Sequence, residues 1–129
     1  MADASAQRSP VRVLIVDDLV DAADSLALLL RRLGYEVQAT YDGASALRMA
    51  VEFDPQAILL DLALPKLDGF QIAARLRQVR ALQKVCLIAL SGYGQPDDFA
   101  RTRRAGFDFH LLKPVNFEEL LRLLDACAR

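Results

Sequence analysis

Short apolar runs alternate with helical patterns along this whole chain, five of each. A strict alternation of this kind folds as a parallel sheet with helices on both faces, joined by right-handed crossovers. Four of the runs stop on polar residues. Residues 11–16 run into Asp17 and Asp18, 57–60 into Asp61, 85–90 into Ser91, and 109–112 into Lys113 and Pro114. In a parallel sheet these ends share one edge, the carboxyl edge, where open α/β sheets bind ligands.

The helical patterns lie between the runs. Residues 20–33 carry Ala22, Leu26, Leu29, Leu30 and Leu33 as an expected inner face, with Asp21 and Asp24 early and Arg31 and Arg32 late, as the helix dipole favours. Gly34 stops this helix. A second strand is expected over 35–41. A second helix follows over 44–53, with Ala46, Leu47, Ala50 and Val51 inward and Asp54-Pro55 as its stop. Asp68-Gly69 opens a third helix, running to about Arg80 with Ile72, Ala73, Leu76 and Val79 inward. The fourth, from Pro96 to Gly106, has Phe99 as its one large apolar residue and is expected to be weakly anchored. Asn116, with Glu119 three residues on, starts the last helix in the manner of a capping box. Its inner face is Phe117, Leu120, Leu121, Leu124 and Cys127, and Leu123 is expected to be exposed.

Composition narrows the function. Of 129 residues 53 % are hydrophobic, enough for a core, and 16 basic against 17 acidic residues leave no field to recruit nucleic acid or an acidic membrane. Residues 1–10 are polar with no apolar leader, so they read as a flexible N-terminal tail and 11–129 as one domain. No stretch is long enough to span a bilayer. Cys86 and Cys127 have no metal-like spacing and are expected to be reduced thiols in a cytoplasmic protein.

Three carboxylates brought to one edge raise one another's pKa unless a cation intervenes. A hard divalent ion that takes a few protein oxygens and keeps waters or phosphate oxygens, as magnesium does, resolves the conflict. Lys113 faces the same cluster and can pair with a phosphoryl group; Ser91 adds a hydroxyl donor.

In order and spacing these residues resemble the receiver domain of two-component response regulators. The resemblance rests on Asp17-Asp18, Asp61, the loop Leu64-Pro65-Lys66-Leu67-Asp68-Gly69, Ser91-Gly92 and Lys113-Pro114, and spans about residues 11–128. It implies a flavodoxin-like (βα)5 three-layer sandwich with strand order 2-1-3-4-5. It implies that Asp61 accepts a phosphoryl group from a phosphohistidine. Asp18 and Asp61 would bind Mg2+ directly, Asp17 directly or through water, and the Ala63 backbone carbonyl would be a further ligand. Lys113 would clamp the phosphoryl oxygens across a cis Lys113-Pro114 bond, and Ser91 would bond one of them and act as a switch. His110 stands where the family more often has a switch Tyr or Phe. Tyr93, near the pocket mouth, is expected to restrict attacking water. The implied partners are a sensor histidine kinase or histidine phosphotransfer protein and a downstream protein target, with neither DNA nor membrane bound directly.

With no sequence beyond the fifth helix, two contexts stay open: a single-domain regulator, or the receiver of a hybrid histidine kinase. A haloacid-dehalogenase phosphatase would want a second Asp where Ala63 stands. A flavodoxin-like cofactor binder would want a Ser/Thr/Gly-rich loop in place of the acidic Asp17-Asp18. A receiver fold serving only as an unphosphorylated interaction module is the remaining alternative.

Overall fold

Parallel pairing orders five strands as β2-β1-β3-β4-β5 in a computed structural model that describes residues 10–64, 68–92 and 96–128, with backbone alone for 96–98. The strands are β1 (Arg12–Val16), β2 (Glu36–Thr40), β3 (Ala57–Asp61), β4 (Cys86–Ser91) and β5 (Phe109–Leu112). Between and after them run α1 (Val20–Arg32), α2 (Gly43–Phe53), α3 (Gly69–Gln78), α4 (Pro96–Ala105) and α5 (Phe117–Cys127). The expected fold class and strand order are both present.

Alternation along the strands divides the core into two layers. Leu14, Val16, Ile58, Leu60, Leu87 and Ala89 pack with Ala46 and Ala50 of α2 and Ile72, Ala73 and Leu76 of α3. Val13, Ile15, Ala57, Leu59, Ile88 and Leu90 pack with Ala23, Ala27 and Leu30 of α1 and Leu120 and Leu124 of α5. β3 is buried at every position, as a central parallel strand covered on both faces should be.

Several helix faces differ from the periodicity reading. α1 turns Ala23, Ala27 and Leu30 to the sheet, while Ala22, Leu29 and Leu33 are exposed. Alanines let that helix approach closely, and the extra leucines are left outside. Val51 of α2 is likewise exposed. α3 stops at Gln78, and a 3-10 turn (Arg80–Leu82) completes the connection. Arg77 fixes this junction by donating to the carbonyls of Leu82, Gln83, Val85 and Gly106. Leu123 is half-buried against the α1/α5 layer rather than exposed.

The cysteines are not the reduced thiols that their spacing predicts. Cys86 and Cys127 are joined in a disulfide, with Cα atoms 5.6 Å apart. The first residue of β4 and the last of α5 meet at the amino end of the sheet, a closure that 41 residues of separation hid from local inspection. Among the described residues no helix is long and apolar enough to cross a membrane.

Candidate functional site

Each site residue owes its place to a strand end. β1 and β3 are paired with Val16 opposite Leu60, so Asp17 and Asp61 follow one step on at the same level. Asp61 lies opposite Leu90 of β4, and Ser91 opposite Leu112 of β5, one residue before Lys113. Asp17, Asp61 and Ser91 are buried and Asp18 is exposed. The Lys113-Pro114 bond is cis.

Each buried carboxylate is held at one oxygen by the chain that follows it. The Leu19 N–H donates to Asp17 Oδ1 at 3.0 Å, and the Ala63 N–H to Asp61 Oδ1 at 2.9 Å. The other oxygens share one ammonium: Lys113 Nζ lies 3.2 Å from Asp17 Oδ2 and 3.2 Å from Asp61 Oδ2. Burial pushes the Asp17 carboxyl up, and the nearby Asp61 charge adds to this against the Leu19 N–H and Lys113. Burial acts against the Lys113 ammonium too, but Asp61 and Asp17 outweigh it and raise its pKa. The site holds more negative than positive charge, which adds to the effect of burial at Asp17 and outweighs it at Lys113.

That imbalance is what a metal site requires. Oxygens of Asp17, Asp18 and Asp61 lie within 4.8 Å of one another. The donors are all carboxylate, a set suited to hard divalent cations, and exposed Asp18 leaves room for water to complete the shell. The cluster can therefore hold a metal ion.

Gly69 supports the site from the far end of the β3–α3 loop. A Cβ there would come within 2.7 Å of Leu62 Cα and 2.8 Å of the Asp61 carbonyl oxygen. Both are backbone atoms that cannot move aside, so the start of α3 packs directly on the residues carrying Asp61. Asp68 caps α3 reciprocally with Gln71, its side chain accepting the Gln71 N–H and the Gln71 side chain accepting the Asp68 N–H. The Asp-Gly pair was the sequence signal for this turn; the close approach behind it was not visible.

His110 is drawn into the site's border. Its Nε2 lies 2.7 Å from Ser91 Oγ and its Nδ1 3.2 Å from Thr102 Oγ1. Thr102 is a buried polar residue of α4 that no sequence signal marked. Phe99, the one large apolar residue of α4, is 40 % exposed and packs at a tilt against His110 with ring centroids 4.4 Å apart. Tyr93 and residues 65–67 of the loop motif lie outside the described residues, as do residues 1–9 of the tail.

The profile of the response regulator receiver domain matches residues 13–125. The chain belongs to the receiver-domain family. It is 36 % identical to the DNA-binding dual master transcriptional regulator RpaA of Synechocystis sp., over 92 % of this chain and 49 % of RpaA. It is 41 % identical to the transcriptional regulatory protein PrrA of Mycobacterium leprae, over 94 % of this chain and 51 % of PrrA. The chain thus spans about half the length of these curated relatives. The receiver domain of sensor histidine kinase PA1611 from Pseudomonas aeruginosa PAO1 superposes with a TM-score of 0.84 at 31 % identity, covering 94 % of this chain and all of that one. That structure has a magnesium ion coordinated in its active site cleft. This receiver domain accordingly belongs to two-component signalling, with an acidic pocket that fits a phosphoacceptor site.

Proposed function

We propose that Asp61 accepts a phosphoryl group from the phosphohistidine of a sensor histidine kinase or histidine phosphotransfer protein. An Asp61 carboxylate oxygen attacks phosphorus, the P–N bond breaks, and the imidazole leaves with the electron pair. The observation that carries this reading is the placement of Asp61. It is buried, held at Oδ1 by the Ala63 N–H, and 3.2 Å from an ammonium at Oδ2, with two more carboxylates beside it. Phosphoryl transfer depends chiefly on such positioning and charge neutralisation.

Magnesium fits the all-oxygen cluster. Asp18 and Asp61, Asp17 directly or through water, and the Ala63 backbone carbonyl would hold it, and when bound it neutralises charge on the phosphoryl oxygens. Lys113 pairs with a further phosphoryl oxygen once the group is in place, and Ser91 donates to another. Tyr93 restricts attacking water. The chain acts as a phosphoacceptor rather than a turnover enzyme. It works in the cytoplasm and changes the surface it offers to a downstream protein, without contacting DNA or membrane itself. As a free-standing regulator or as the receiver of a hybrid kinase, the chemistry at Asp61 is the same.

The test is incubation with magnesium and acetyl phosphate or beryllofluoride, comparing wild type with Asp61→Asn. An adduct in the wild type alone is expected. An adduct that survives Asp61→Asn, or none in the wild type, would overturn the assignment.

A further inference from the structure

Thr102, His110 and Ser91 form a side-chain chain from α4 to the site border, and its hydrogen bonds fix where each proton sits. The Thr102 hydroxyl donates to the Phe99 carbonyl at 2.9 Å, an acceptor with no proton to return. Its single proton is thereby used. Toward His110 Nδ1 the Thr102 oxygen acts only as acceptor, so Nδ1 carries the ring proton. In the neutral ring Nε2 then carries no proton, and the 2.7 Å contact to Ser91 is one in which the Ser91 hydroxyl donates.

We infer that Thr102 and His110 are positioning residues that hold the Ser91 hydroxyl proton on the imidazole, so that a phosphoryl group on Asp61 must compete for it. The inference rests on the phosphoacceptor reading of Asp61. In the exchange the proton stays on Ser91. The O–H···Nε2 hydrogen bond breaks and an O–H···O–P hydrogen bond forms, with no covalent bond altered. His110 loses a donor on one nitrogen while the other remains tied to Thr102, so occupancy of the site is felt on α4 through a hydrogen bond. Open pockets of about 270 and 240 Å³ both include Phe99 and His110 in their walls.

The chain has one histidine, so its ring nitrogens give unambiguous signals in nitrogen NMR of the untagged protein. The neutral ring is expected to carry its proton on Nδ1. Magnesium and beryllofluoride should move the Nε2 resonance in the direction expected for loss of the Ser91 hydrogen bond, and Ser91→Ala should move it similarly with no beryllofluoride present. Thr102→Val removes the acceptor that fixes the tautomer. It should shift the ring proton toward Nε2 and tighten beryllofluoride binding roughly 2- to 10-fold, the worth of one hydrogen bond. Thr102→Ser should restore wild-type values, which a loss of packing alone would not explain. A neutral ring protonated on Nε2 in the wild type overturns the inference. So does an Nε2 resonance that stays put while fluorine NMR shows an adduct dependent on Asp61. Absence of that adduct overturns the phosphoacceptor reading and the competition with it.

Discussion

At the scale of single residues, the site is a compromise between charge and burial, and Asp17 shows it most clearly. Burial raises its pKa, so the folded protein holds this proton more tightly than the unfolded chain. Ionising Asp17 therefore costs stability as pH rises from the ordinary carboxylate value through its raised folded value. Asp17→Asn should remove that cost, stabilising the metal-free protein by about 1 kcal/mol near neutral pH and much less below about pH 3. Urea unfolding at the two pH values checks this. The same substitution should weaken any stabilisation by added magnesium, since it removes one carboxylate of the acidic cluster. Gly69→Ala tests the backbone contact beneath Asp61. With no atom free to move aside, it should cost about 1–3 kcal/mol and impair beryllofluoride binding by displacing the β3–α3 loop. Asp17, Asp18, Asp61, Ser91 and Lys113 were legible because each directly follows or ends an apolar run. Thr102 was not, because its meeting with His110 depends on how α4 is rotated against β5, which no local pattern encodes.

At the scale of elements, end signals were read more reliably than faces. Asn116 accepts the Glu119 N–H at the start of α5, and Gly34, with φ at 98°, follows α1 in the left-handed region. The buried face of α1 differs from its periodicity because leucines at 26, 28, 29, 30 and 33 surround the helix, so hydrophobicity alone cannot choose the buried stripe. Shape chooses it: Ala23 and Ala27 sit flat on the sheet where leucines would hold the helix away. The cap of α2 offers a test at this scale. Asp42 accepts the Ser45 N–H at 2.8 Å, and that bond lowers the Asp42 pKa. Its stabilisation is therefore present above the ordinary carboxylate value and is lost as pH falls through the lowered folded value. Asp42→Ala should cost about 1 kcal/mol near neutral pH. Asp42→Asn should retain most of the cap while flattening the acid side of the stability profile, measurable by thermal unfolding from about pH 2 to 6.

At the scale of the whole molecule, the two ends of the sheet have separate duties. The carboxyl end carries the acidic cluster, and the amino end carries the Cys86–Cys127 bridge. Cys86 and Ser91 bound β4, so the ends are about 17 Å apart at roughly 3.3 Å per residue. A crosslink between residues 41 apart restricts the unfolded chain, and opening it should cost roughly 2–4 kcal/mol. Domains of this size commonly have ~5–15 kcal/mol in reserve. The layer that contains Cys86 and Cys127 also closes without the bridge, through Leu120 and Leu124 of α5 against the sheet. The reduced protein should therefore stay folded but unfold at lower urea. Cys127→Ser should match the reduced wild type and be indifferent to reductant. Beryllofluoride affinity should be the same in all three forms, because the strand ends that align Asp17, Asp61, Ser91 and Lys113 are fixed by the central pairing of β1, β3, β4 and β5. A loss of affinity on reduction would mean that the bridge, rather than this pairing, sets the geometry of the site.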